Sequence, residues 1–350
     1  MEYRTLGRTG VRVSTHCLGA MMFGGWGNPD QDDCIRIIHR ALDAGINFID
    51  TADVYSRGGS EEIVGRALRG RRDDVVLATK VYGEMGKGPN ERGTSRLWIM
   101  REVEASLRRL GTDHIDLYQL HRPEPDTDLQ DTLEALTDLV RQGKVRYTGT
   151  STYPAWQIAR AQELAGARGL ARFACEQAPY SAFTRHVELD VLEVARTYGM
   201  GVIVWSPLAG GWLTGKYRRG EEAPARSRME RSRVRGGRVA DRFDLSRPAA
   251  QRKLDLVEEL LPIADKAGVS PAHMGIAFTL AHPAVTSAII GPRTMEQMDD
   301  LLDGADVRLD EATLDAIDEV VAPGTVVDDA DRGWDPPWME PQARRRPTAG

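Results

Sequence analysis

Val75-Val76-Leu77-Ala78-Thr79-Lys80 is a short β-rich apolar run, and it is followed by Ser95-Arg96-Leu97-Trp98-Ile99-Met100-Arg101-Glu102-Val103-Glu104-Ala105-Ser106-Leu107-Arg108-Arg109-Leu110 and then by Ile115-Asp116-Leu117-Tyr118-Gln119-Leu120. In the middle piece Ile99, Val103 and Leu107 recur at helical spacing behind a serine able to cap the first turn, so the three pieces read as strand, helix, strand. Strands joined through a helix run parallel. The alternation continues in both directions. Further strands are expected at His16–Ala20, Ile46–Asp50, Val145–Gly149, Phe173–Glu176, Gly201–Trp205 and Thr286–Ile290, and a second amphipathic helix at Thr127–Arg141 aligns Leu129, Leu133, Leu136 and Val140. Eight such units predict an α/β fold closed as a (β/α)8 barrel of the TIM type. The competing open, doubly wound sheet needs a glycine-rich turn directly after a strand, whereas Gly199-Met200-Gly201 precedes its strand and lacks a third glycine.

The chain of 350 residues allows one domain or two on length alone, and the eight units favour one. We expect residues 1–325 to form a single barrel domain and 326–350 a C-terminal tail whose last ten residues are disordered. Tyr3–Val13, with Arg8-Thr9-Gly10 between extended pieces, reads as a β-hairpin plugging one end of the barrel. Arg218–Arg247 breaks the rhythm, with ten arginines and five acidic residues in thirty positions. It is expected as a long, mobile, basic loop after the seventh barrel strand, either simply solvated or acting as a flap over an anionic ligand. A hydrophobic content of 41% and a charged content of 28% suit a globular protein with a large core. The net charge of −6 argues against a nucleic-acid binder. No apolar signal core or membrane-length run occurs, which predicts a cytoplasmic location with no membrane partner. Three cysteines without a Cys-x-x-Cys pair indicate neither a disulfide framework nor a metal site.

Three polar residues end three consecutive predicted strands: Asp50 in Asn-Phe-Ile-Asp-Thr-Ala, Lys80, and His121 just after Tyr-Gln-Leu. In a parallel barrel these ends share the face where active sites form. Singly, a helix cap, a surface lysine and a core histidine would explain them; together they bring an anion, a cation and an imidazole to one place. Tyr55 lies five residues after Asp50, within reach of Lys80. An ammonium beside a phenol favours phenolate, so Tyr55 is expected to be a general acid, with Asp50 orienting Lys80 and His121 hydrogen-bonding a substrate oxygen. Protonating a carbonyl oxygen calls for hydride at its carbon, which no side chain supplies; a reduced nicotinamide is implied.

The strings Asp-Thr-Ala-Asp-Val-Tyr-Ser at 50–56, Ala-Thr-Lys at 78–80, Leu-His-Arg-Pro at 120–123, Trp-Ser-Pro-Leu-Ala-Gly-Gly at 205–211 and Ile-Gly-Pro-Arg-Thr at 290–294 resemble those of the aldo-keto reductases. The likeness is to the branch of bacterial oxidoreductases related to potassium-channel β subunits, and it runs from Tyr3 to about Leu302. It implies a catalytic tetrad of Asp50, Tyr55, Lys80 and His121. It further implies that Ser151 and Gln177 hold the nicotinamide carboxamide and that Trp205 stacks on the ring. Ser206, Leu208, Gly210, Lys216 and Arg228 then meet the pyrophosphate, and Gly291, Arg293, Gln297 and Asp300 the adenosine phosphate end. Arg293 would meet a 2′-phosphate, which favours NADPH. The chain departs from the pattern at Thr152 and Leu301, where relatives often carry asparagine.

These readings predict an NADPH-dependent reductase of an aldehyde or ketone. Two alternatives stand beside it: a nucleotide-sensing auxiliary subunit with weak catalysis, and Schiff-base chemistry on Lys80. Met22, Trp26, Tyr82, Tyr153, Trp212, Trp334 and Trp338 are the candidate pocket walls, and their indoles favour a flat aromatic or sugar-like substrate.

Overall fold

The computed structural model describes residues 1–225, 227–235 and 237–346. Two short strands, β1 (Tyr3–Thr5) and β2 (Arg12–Ser14), pair antiparallel as a hairpin. Eight more follow: β3 (His16–Gly19), β4 (Phe48–Asp50), β5 (Val76–Val81), β6 (Ile115–Leu120), β7 (Val145–Ser151), β8 (Phe173–Pro179), β9 (Gly201–Trp205) and β10 (Val285–Ile290). They pair in parallel in that order and β10 returns to β3, closing the barrel. The strands fall within three residues of their expected bounds, the largest difference being at the end of β8.

The strand period of two sorts the interior into layers. Cys17, Phe48, Ala78, Leu117, Cys175 and Ile203 form one apolar layer, and Leu6 and Val13 of the hairpin pack onto it from below. The hairpin is therefore the expected plug. Two residues further along the same strands come Asp50, Lys80, Gln119 and Gln177, so the layer above the apolar floor is polar. Outside the barrel, Leu, Ile and Val side chains of both sheet and helices are fully buried, each stabilising the fold by about 1.5–3 kcal/mol.

The helices are α1 (Gln31–Asp43), α2 (Gly59–Ala67), α3 (Arg96–Leu110), α4 (Leu129–Arg141), α5 (Ala155–Arg168), α6 (Val191–Tyr198), α7 (Arg228–Arg235), α8 (Gly237–Asp241), α9 (Pro248–Ala267), α10 (Pro271–Ala281), α11 (Met295–Asp303) and α12 (Glu311–Val320). Ser95 caps α3 as expected, by accepting from the Trp98 N–H. For α4 the cap is Asp128, which accepts from the Gln130 and Asp131 N–H groups. Among the described residues no helix is long and apolar enough to cross a membrane.

The arginine-rich segment differs from the loop expected of it. It contains α7 and α8, and it buries Met229 and Phe243. Phe243 stacks on Trp212, with centroids 6.1 Å apart and planes at 6°. Met229 and Phe243 lie fourteen residues apart and make no periodic stripe. The tail is tied down as well. Lys253 of α9 is fully buried and reaches Asp328 at 2.8 Å and Asp331 at 2.7 Å, and Arg242 of the arginine-rich segment pairs with Asp331. Of the last ten residues, Pro341–Arg344 form a helical turn, and residues 347–350 lie outside the described residues.

Candidate active site

The polar layer meets the C-terminal mouth of the barrel around Lys80. Its side chain has no solvent exposure, and its ammonium donates to Asp50 Oδ1 at 2.5 Å, to the Thr51 carbonyl at 2.9 Å and to the Tyr55 hydroxyl at 3.2 Å. An ammonium has three N–H groups, and all three are used. Burial alone would push this lysine down; Asp50 and Tyr55 outweigh it, and its pKa is raised above the usual lysine value. Because the Tyr55 oxygen accepts from Lys80, the phenolic proton points elsewhere.

His121 presents its ring to Tyr55 edge-on, with centroids 5.7 Å apart and planes at 80°. Burial, then Arg122 and Lys80, push its pKa well below the ordinary histidine value, so the imidazole is neutral at pH 7. Trp26 lies on the other side of Tyr55, with centroids at 5.9 Å. The structure thus brings Tyr55 together with the three residues singled out on consecutive strand ends.

Backbone strain is concentrated on the same face. Among the described residues, the non-glycine residues at positive φ are Ser56, Arg57, Thr152, Ser206 and Ala209. They sit in the loops leaving β4, β7 and β9. A threonine at φ 62° is costly for a β-branched side chain and is held here by the hydrogen bond from its N–H to the Gln177 carbonyl at 3.0 Å. Burial lifts the neighbouring Glu176 to about 7, against hydrogen bonds from Thr150 and from the Tyr153 and Thr152 N–H groups that lower it.

Beyond β9 the chain turns through Ser206-Pro207-Leu208 into a distorted 3-10 segment, Ala209–Thr214, where Gly210 and Gly211 have φ of 72° and 103°. A Cβ on Gly211 would stand 2.7 Å from Lys216 Nζ, so glycine makes the seat for that ammonium. Lys216 is pushed below the usual lysine pKa, first by burial and then by Arg293, Arg228 and Arg231. Four cations from three separate stretches converge there. Like charges gathered at one point suit a polyphosphate shared among them. Arg293 lies in the loop after β10, which is fastened by the Gln297 side-chain carbonyl to the Arg293 N–H at 2.9 Å and by Asn28 to the Arg293 carbonyl at 2.9 Å. Gly291 is exposed and has open space where a side chain would be. Asp300 turns aside: its carboxylate is 60% exposed and lies 3.5 Å from His273.

Ser151 is buried, with its hydroxyl 3.4 Å from that of Thr152. The Trp205 ring stands against Gly333, where a Cβ would come within 2.5 Å, so the tail crosses the mouth at this point. Just beyond, Trp334 packs on Trp338 at 5.4 Å and Trp338 on Trp156 at 5.8 Å. Trp156 was not among the sequence candidates. Of those that were, Trp26, Tyr82, Trp334 and Trp338 keep part of their surface exposed at the mouth or in the tail. Trp212, Tyr153 and Met22 are buried instead. Trp212 is fully buried against Tyr217 and Phe243, Tyr153 packs edge-on against Phe173, and Met22 is folded under Gly27. Gln119 and Arg231 are the residues of the site that sequence reasoning missed. Gln119 has the same parity along its strand as Leu117 and His121, which was the available signal.

Comparison with known proteins adds a lineage to this geometry. The model of the aldo/keto reductase family matches residues 17–322. The chain is 40% identical to an uncharacterized oxidoreductase, YrpG, of Bacillus subtilis, over 91% of this chain and 96% of that protein. It is 38% identical to a probable voltage-gated potassium channel subunit beta of rice, Oryza sativa, over 92% and 97% of the two chains. A protein of Arabidopsis thaliana carrying the same description is 37% identical over the same shares.

Proposed function

Because this chain belongs to the aldo/keto reductase family, whose members generally use a nicotinamide cofactor and act on small carbonyl compounds, we propose that it reduces an aldehyde or ketone to an alcohol with NADPH. The observation that carries the proposal is the saturation of Lys80. With all three of its N–H groups accepted by Asp50, Thr51 and Tyr55, the phenol can only donate its own proton outward. Tyr55 is the general acid in this reading. Lys80 remains charged and steadies the phenolate left behind, and Asp50 fixes Lys80. His121, neutral, donates a hydrogen bond to the same substrate oxygen and aligns the carbonyl.

When bound, the reduced nicotinamide supplies the hydride. The residues present fit such a cofactor. Ser151 and Gln177 would meet its carboxamide and Trp205 its ring face. Ser206, Leu208, Gly210, Lys216 and Arg228 would meet the pyrophosphate. Gly291, Arg293 and Gln297 would meet the adenosine end, with Arg293 on a 2′-phosphate. Asp300, turned toward His273, contributes least.

Two other readings separate from this one. Schiff-base chemistry needs Lys80 neutral and free, and it is neither. A nucleotide-sensing auxiliary subunit, suggested by the descriptions of the plant relatives, needs no proton donor, whereas this site keeps a complete one. NADPH consumption followed over a panel of aromatic aldehydes, keto-sugars, quinones and polyketide-like ketones tests the proposal. Turnover with at least one class is expected; tight NADPH binding with no turnover across the panel would favour the auxiliary reading.

A further inference from the structure

Asp50 divides its two oxygens. Oδ1 receives Lys80, while Oδ2 receives Gln177 Nε2 at 2.8 Å and Gln119 Nε2 at 3.1 Å. Gln177 Nε2 also lies 3.3 Å from Gln119 Oε1. A carboxylate only accepts, so both amides must turn their NH2 groups toward Oδ2; flipping either would set oxygen against oxygen. Both N–H groups of Gln177 are then spent, one on Asp50 and one on Gln119. What Gln177 has left to show a ligand is its carbonyl oxygen.

The seat of Gln119 is built for it. Its side chain is fully buried, and β6 and β7 pair it directly with Gly149. A Cβ on Gly149 would stand 3.2 Å from Gln119 Cγ and 2.9 Å from the Cys175 carbonyl, so glycine there leaves the Gln119 side chain its space. The titratable groups facing Asp50 are Lys80 and the thiols of Cys17 and Cys175, both driven up first by burial and then, among other groups, by Asp50 itself.

We propose that Gln119 is a positioning residue of the proton-donor set: it acts through Asp50, pinning Oδ2 so that Oδ1 stays on Lys80 and Lys80 on Tyr55, and it ties Gln177 to that set. Lining the barrel would require only an apolar side chain. An amide that completes a three-way bond among Asp50, Gln177 and itself has a further effect, because any shift of Gln177 is felt at Asp50. This inference rests on the reading of Tyr55 as the acid, and its test keeps the two apart.

Gln119→Leu and Gln119→Glu are compared with wild type, with Tyr55→Phe in parallel. Gln119→Leu is expected to lower kcat by roughly ten- to a hundredfold, the loss of one hydrogen bond to a charged group. Gln119→Glu keeps the shape of the side chain. Protonated at acid pH it donates to Oδ2 as the amide did and works near the wild-type rate; as pH rises it ionises beside Asp50 and kcat falls. In the cofactor-free protein, the tyrosinate absorbance that disappears on Tyr55→Phe should appear at higher pH in Gln119→Glu than in wild type, because the added negative charge disfavours phenolate. Unchanged kcat and pH profiles in both variants would overturn the inference. So would a fall in kcat with no pH dependence and no shift of the Tyr55 titration, since that is what a packing role alone produces. If Gln119→Leu fails to fold, Gln119→Glu carries the test. If Tyr55→Phe keeps its turnover, the acid assignment fails, and the cofactor-free titration still decides whether Gln119 governs the charge around Tyr55.

Discussion

Lys80 and Lys216 stand at the same mouth of the barrel, and their charges move in opposite directions. Lys80 is sealed among acceptors, a carboxylate, a carbonyl and a phenol, and its pKa rises despite burial. Lys216 is partly buried facing three arginines, and its pKa falls. The contrast separates two uses of a cation. One whose partners are all internal keeps its charge whatever is bound and can serve a proton transfer. One pressed against other cations is held at a cost that an incoming anion relieves. Lys253 gives a third case. Its partners are internal too, Asp328 and Asp331, but they belong to the tail, and the chemistry lies elsewhere.

Substitution at each lysine should therefore fail in its own way. Lys80→Met removes the charge beside the phenol and leaves Asp50 uncompensated. We expect kcat to fall by about a thousandfold or more, with NADPH affinity nearly unchanged; a loss confined to affinity would break the contrast. Lys253→Met leaves two buried carboxylates without their ammonium and should cost about 3–5 kcal/mol of stability, measured by denaturant unfolding. An unchanged midpoint would mean that the tail is not held by this cluster.

Arg293→Ala tests the other cation group. NADPH dissociation constants should rise roughly ten- to a hundredfold and those for NADH far less; equal losses would refute the 2′-phosphate role. The smallest effect is expected with pH. Lys216 gives up its proton below the ordinary 10.5, whereas Lys80 keeps its own beyond it. Raising pH toward that value should weaken NADPH binding several-fold, measured by fluorescence titration, while Lys80 remains charged. Affinity flat over that range would remove Lys216 from the phosphate site.

Much of this architecture was legible in the sequence because two simple periods carry it. Helical spacing in Ser95–Leu110 between two β-rich runs is enough to call for parallel strands, and strand parity then puts Asp50, Lys80 and His121 on one face. Gln119 escaped notice for a physical reason. It is uncharged, and its importance comes from Asp50 and Gln177, which the barrel brings alongside from β4 and β8. Trp212 lies deeper than its place in a loop after a strand suggests, with Tyr217, Phe243 and Lys253 packed against it. The segment from Arg218 to Arg247 reads as a mobile loop, solvated or a flap, because Met229 and Phe243, which it buries, are scattered among ten arginines. The ion cluster that holds the tail joins residues about seventy-five positions apart, such as Lys253 and Asp328, and no local pattern announces such a pair.

If Tyr55, with its oxygen already accepting from Lys80, is the group that hands its proton to the substrate, its phenol can be removed only at the expense of turnover. Turnover and NADPH binding measured on one sample of Tyr55→Phe decide this. Turnover lost by about a thousandfold or more with NADPH affinity retained is the predicted result. Turnover at the wild-type rate would contradict it.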